Sequence, residues 1–80
     1  EHYAWVYRGK QRKIVLTALT EPKTPTKLQE ETKIKVTNIS DVLRSMAQRK
    51  LVRCLNPKDK LGRFYEPTTI GKKVREKLAK

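Results

Sequence analysis

The sequence predicts an α+β fold: three helices, then a two-stranded β-hairpin, then a closing helix. Three observations predict it. Val36, Ile39, Leu43 and Met46 recur at spacings of three, four and three, the period of a helix with one buried face. Two short β-prone runs, Leu51 to Leu55 and Arg63 to Pro67, flank the turn-rich stretch Asn56-Pro57-Lys58-Asp59-Lys60-Leu61-Gly62. Behind the hairpin, Ile70, Val74 and Leu78 stand four apart, after two threonines that can cap a helix.

In chain order, Tyr3-Ala4-Trp5-Val6-Tyr7 holds three of the five aromatic residues and reads either as a short strand or as the start of the first helix. The first helix is expected over about 8–19, where a polar lead of Arg8 to Lys13 runs into Ile14-Val15-Leu16-Thr17-Ala18-Leu19. After a connector, Thr24 followed by Pro25 is a start signal, the hydroxyl capping and the proline taking the first helical position. That second helix runs over about 25–32 and has one obvious inward residue, Leu28. A turn at Lys33 leads into the third helix, about 36–49. On a wheel of about 100° per residue, its outer side carries Thr37, Asn38, Asp41, Ser45 and Gln48, with Arg44 at the edge. The hairpin spans 51–67, with Pro67 ending its second strand. The last helix covers about 69–79, and the whole of 1–80 reads as one small domain.

A chain of 80 residues buries only about 60% of its unfolded surface, so its stability margin is thin. Its formal net charge is +12, and the charge is concentrated rather than spread. From Lys33 to Arg63 there are nine lysines and arginines against Asp41 and Asp59, a local balance of +7. From Ile14 to Thr32 there are two lysines against three glutamates, a local balance of −1. A basic surface selected only for solubility has no reason to gather in one segment. Concentration favours a polyanion, nucleic acid first.

Other function classes find little support. No apolar stretch approaches the roughly 20 residues a membrane span needs. Cys54 is the single cysteine and His2 the single histidine, which excludes an internal disulfide and a Cys/His zinc site. Paired carboxylates and a glycine-rich phosphate loop are both missing, so no catalysis, cofactor or metal is expected. Cys54, between Arg53 and Leu55, reads as core filler in preference to a redox sensor. The natural setting is intracellular: cytoplasmic and associated with the nucleoid.

These residues resemble the winged helix-turn-helix domains of MarR-like and ArsR-like transcription regulators, especially the small archaeal type. The resemblance covers nearly the whole chain from Arg8 to Leu78. Thr24 to Glu31 looks like the second helix, and Ile34 to Ser40 with Leu43 like the start of a recognition helix. Leu51-Val52-Arg53 resembles the strand opening the wing, Gly62-Arg63-Phe64-Tyr65 the returning strand, and Thr68-Thr69-Ile70-Gly71 the run opening the last helix. The sequence departs from the family in two turns that usually carry glycine and here hold Lys33 and Lys50.

The resemblance implies a sequence-specific regulator that binds double-stranded DNA, with the third helix in the major groove and a basic wing on the backbone. Thr37, Asn38, Asp41, Arg44, Ser45 and Gln48 are then the base-contact set, Asn38 suited to adenine and Arg44 to guanine. Lys27, Lys33, Lys35, Arg49, Lys50, Arg53, Lys58, Lys60 and Arg63 form the pool for phosphates and the wing. Asp41 fits its face poorly, because it repels phosphate unless it accepts from a cytosine amine or ties down Arg44 or Lys35. A homodimer is also implied, and Tyr3, Trp5 and Tyr7 with Ile70, Val74 and Leu78 are the nominated surface. The competing assignment has these six closing the monomer's own core. RNA binding, or protein interaction inside a larger transcription complex, is the alternative function.

Overall fold

The computed structural model describes residues 2–79. Five helices and one hairpin follow in the order α1 (His2–Arg8), α2 (Lys10–Ala18), α3 (Pro25–Thr32), α4 (Val36–Gln48), β1 (Val52–Cys54), β2 (Tyr65–Pro67) and α5 (Thr69–Leu78). This is the winged helix-turn-helix order, with one correction at its start. The expected helix over 8–19 is α2 alone, and residues 3–7 belong to a separate helix, α1. The chain breaks at Gly9, which is extended at φ −101° and ψ 111°. Its N–H donates back to the Val6 carbonyl at 3.1 Å, and its carbonyl accepts from the Lys13 N–H at 2.9 Å.

One core holds the elements together. Val15 and Leu16 of α2, Leu28 of α3, and Ile39, Leu43 and Met46 of α4 are fully buried against one another, with Leu19 and Leu51 beside them. The stripe at spacings of three and four on α4 is therefore its inward face. Val6 of α1 enters the same core and Tyr3 and Trp5 pack against it, so the aromatic-rich start turns one apolar face inward as a helix. No helix of the described residues is long and apolar enough to cross a membrane.

The hairpin is antiparallel, pairing Val52 with Pro67, Arg53 with Glu66 and Cys54 with Tyr65. A third segment joins it. Lys23 exchanges both backbone hydrogen bonds with Tyr65, at 3.1 and 2.9 Å, so the connector before α3 doubles as a sheet edge. The Lys23 side chain turns inward, and its ammonium donates to the Ala18 carbonyl at 2.7 Å and pairs with Glu31 at 2.6 Å.

Thr68 joins the hairpin to α5. Its hydroxyl accepts from the Gly71 N–H at 3.1 Å as the N-cap and donates to the Lys50 carbonyl at 2.6 Å, while its own N–H donates to the Leu51 carbonyl at 3.0 Å. Gly71 then lies so close to Leu51 that a Cβ built on it would fall 2.0 Å from the Leu51 carbonyl oxygen. Val74, one turn further on, is 6% exposed and belongs to the core. It therefore has no surface to offer a second copy, a correction to its nomination. Tyr3, Trp5 and Leu78 are half-buried and pack on the same core, whereas Tyr7 and Ile70 stay exposed at 54% and 43%.

Candidate nucleic-acid interface

The outer face of α4 is built by subtraction. Once Ile39, Leu43 and Met46 are committed to the core, helical geometry leaves Thr37, Asn38, Asp41, Arg44 and Gln48 exposed and Ser45 half-buried. Asp41 and Arg44 approach at 3.5 Å with side-chain exposures of 71% each. An exposed pair of that kind is worth less than about 1 kcal/mol, so Arg44 can exchange it for another partner. Of the partners offered for Asp41, Arg44 is the one it meets within the protein, and loosely.

The entry to α4 is fixed by a residue that sequence reading left aside. Lys35 is the N-cap and makes no side-chain cap bond. The side chain of Gln29, on α3, crosses the turn and accepts from the Val36 N–H at 2.6 Å. A cap from seven residues upstream ties the two helices of the helix-turn-helix together and contributes on the order of 1 kcal/mol. No local cap motif signals it.

Both turn lysines that flank the ends of α3 and α4 are left-handed, Lys33 and Lys50 each at φ 65°. Lys33 closes α3 by donating its N–H to the Gln29 carbonyl at 2.8 Å, and Lys50 follows α4 with its N–H on the Ala47 carbonyl at 3.0 Å. A non-glycine residue in this conformation costs about 1–2 kcal/mol. Lys33→Gly and Lys50→Gly should each raise the melting temperature, by about 4 °C or more per kcal/mol recovered. If the strain is kept because each ammonium reaches a phosphate, each variant also binds duplex DNA more weakly. Thermal melts paired with binding titrations check both halves, and unchanged binding refutes the phosphate role.

Asn56 organises the wing. Its amide nitrogen donates to Asp59 at 2.8 Å and to the Gly62 carbonyl at 3.1 Å, and its side-chain oxygen accepts from the Phe64 N–H at 2.7 Å. The loop is thus laced from inside, and Lys58 and Lys60 are carried outward on it. Arg63 folds back, its Nε donating to the Asp59 carbonyl. Arg53 grips Glu66 across the hairpin through Nε at 2.8 Å and Nη2 at 2.6 Å, so its charge is largely answered within the wing. Lys27 lies 3.9 Å from Glu31 on the exposed side of α3, and Lys35 is exposed.

Between wing and helix runs a cleft of about 710 Å³, lined by Thr24, Pro25 and Thr26, by Val36, Ser40 and Arg44 of α4, and by Lys60 to Arg63 of the wing. Cys54 also lines it, half-buried, with its thiol 3.9 Å from the Asn56 side-chain oxygen. It is therefore not the core filler expected. A shallower groove separates α4 from the start of α2, lined by Gly9, Lys10, Gln11 and Arg12 on one side and Asp41, Val42 and Ser45 on the other. Lys10 and Arg12 are thus brought beside the outer face. The alternating run Arg8, Lys10, Arg12 was visible in the sequence, but its placement was not. Among the described residues no group of three or more His, Cys, Asp or Glu side chains could hold a metal.

No protein-family model matches the chain, and no curated protein matches it. Solved structures do. The apo form of MarR from E. coli superposes with a TM-score of 0.75 at 22% identity, covering 96% of this chain and 60% of that one. The reduced form of E. coli MarR gives 0.79 at 22% identity, covering 95% and 58%. A cysteine-to-serine variant of E. coli MarR complexed with operator DNA gives 0.74 at 22% identity, covering 96% and 58%. The fold is that of the MarR winged helix-turn-helix, and the chain spans about three-fifths of the length of those structures.

Proposed function

We propose, from that fold and from the face that α4 presents, that this chain is the DNA-binding module of a transcription regulator, specific for sequences in double-stranded DNA. The observation that carries the reading is the outward row of exposed Thr37, Asn38, Asp41, Arg44 and Gln48 with half-buried Ser45, bordered by cations at both ends of α4 and on the wing. A row of hydrogen-bonding side chains at helical spacing matches base edges in the major groove. Lys33 and Lys35 at the entry, Arg49 and Lys50 at the exit, and Lys58 and Lys60 on the wing suit the backbone on either side. Lys27, Arg53 and Arg63 are secondary, because each already has a partner within the protein. The likeness to a MarR variant complexed with operator DNA supports the same docking.

One module of this size reads few base pairs, so a second copy bound to a two-fold site completes the proposal. The exposed Tyr7 and Ile70 are what remains of the nominated surface for that contact. Selection of bound sequences from a random duplex library tests the reading, with titrations against duplex RNA and single strands at the same salt. A recovered consensus with two half-sites about one helical turn apart is the expected result. Preference for RNA, or no binding to any nucleic acid at low salt, overturns it in favour of an RNA-binding or protein-interaction module.

A further inference from the structure

We infer that Trp5 is a positioning residue for the nucleic-acid surface, holding Arg12 and Arg49 as phosphate contacts beside the outer face of α4. Arg12, on α2, thereby becomes a phosphate-binding residue outside the recognition helix and the wing. The inference rests on the DNA-binding reading above.

The indole of Trp5 carries two guanidiniums. Arg12 Cζ lies 4.0 Å from the ring centroid and Arg49 Cζ lies 4.1 Å from it. Trp5 is half-buried and packs on the core, so the ring is a fixed platform, whereas an arginine alone on a surface samples many rotamers. Stacking immobilises a guanidinium by its face and leaves the N–H groups in its plane free to point outward.

Arg12 is held twice more. Its Nη1 donates to the Trp5 carbonyl at 2.7 Å. Its stem also lies across Gly9 so closely that a Cβ there would sit 2.5 Å from Arg12 Cδ and 2.8 Å from Cγ and Nε. The break between α1 and α2 is thus a slot that only glycine leaves open for this side chain.

The placement suits DNA. Arg49 caps the end of α4, and Arg12 lines the groove facing Asp41 and Ser45 on its outer side. Neither arginine forms an ion pair among the described residues, although Arg44, Arg53, Lys23 and Lys27 all do. Two permanent cations gathered at one ring repel each other, and that repulsion falls when an anion arrives. A duplex seated on α4 brings a row of phosphates to this border.

The test is a salt titration of binding to a short random-sequence DNA duplex, with folding checked by circular dichroism. Arg12→Ala is expected to weaken binding severalfold and to lower the slope of log K against log salt by about 1, and the double variant Arg12→Ala/Arg49→Ala by about 2. Gly9→Ala keeps every charge and the indole but displaces the Arg12 stem, so it should weaken binding as well. Trp5→Leu is expected to lose affinity that Trp5→Phe largely restores. Trp5 is also the one tryptophan in the sequence, so its fluorescence should change when wild type is titrated with duplex and should respond far less in the double variant. If wild type shows a steep slope while Arg12→Ala and Gly9→Ala match it, the inference falls and the DNA-binding reading stands. If wild type does not bind duplex at all, both fall. Should Trp5→Leu fail to fold, Arg12→Ala and Gly9→Ala decide.

Discussion

Gly71→Ala is expected to lower stability by about 3 kcal/mol, the upper part of the range for forcing extra volume into a packed site. The added methyl would stand 2.0 Å from the Leu51 carbonyl oxygen, which is backbone and already accepts from the Thr68 N–H. Neither side can give way cheaply. Moving α5 away also breaks the Thr68 bonds to Lys50 and Leu51 and draws Val74 out of the core. A domain of this size has on the order of 4–12 kcal/mol in total, so one methyl removes a large share. Thermal unfolding followed by circular dichroism should show a midpoint at least about 12 °C lower. A midpoint within a few degrees of wild type would mean that α5 is not seated on the hairpin as described.

Binding to duplex DNA should fall at least about 1,000-fold between 50 and 200 mM salt. Six phosphate contacts from Lys33, Lys35, Arg49, Lys50, Lys58 and Lys60 give a slope near −5, at about 0.9 per neutralised phosphate, and the Arg12 contact inferred above steepens it by about 1. These six are chosen because all are exposed and none has an ion-pair partner among the described residues. A slope shallower than about −2 would sink the docking. Single substitutions separate positioning from reading. Lys60→Ala should weaken all sequences alike and lower the slope by about 1, whereas Asn38→Ala should relax preference at one base pair, by about 1–3 kcal/mol, and leave the slope alone. If Asn38→Ala weakened all sequences equally, α4 would be gripping the backbone rather than reading the groove.

Elements were legible where the signal is local. The Val36, Ile39, Leu43, Met46 stripe places α4 within a residue of its observed end, since helical period and burial are one property. Thr24-Pro25 starts α3 as read, and of the two threonines offered for α5 the cap is Thr68, because a cap bond spans only three residues. Lys33 and Lys50 stood out in the sequence only as lysines at turn positions where glycine is usual in the regulators it resembles, and the structure shows both left-handed. Local pattern misled at the chain start, where an unbroken polar-to-apolar gradient masked the stop at Gly9.

Composition and periodicity alone therefore carried the element order from α2 onward, the inward face of α4 and, by exclusion, its outward row of hydrogen-bonding side chains. Only the folded chain decided which charges are free. Glu66 lies thirteen residues from Arg53, Trp5 lies forty-four from Arg49, and Gln29 caps a helix beginning at Val36. Those pairings depend on how helices and hairpin dock, and docking is set by core volume rather than by the polar residues it brings together. The outer face of α4 could be read by counting residues. Its borders, with Arg53 answered by Glu66 and with Arg12 and Arg49 gathered on Trp5, needed the tertiary structure, because a charge acquires its partner only when distant segments meet.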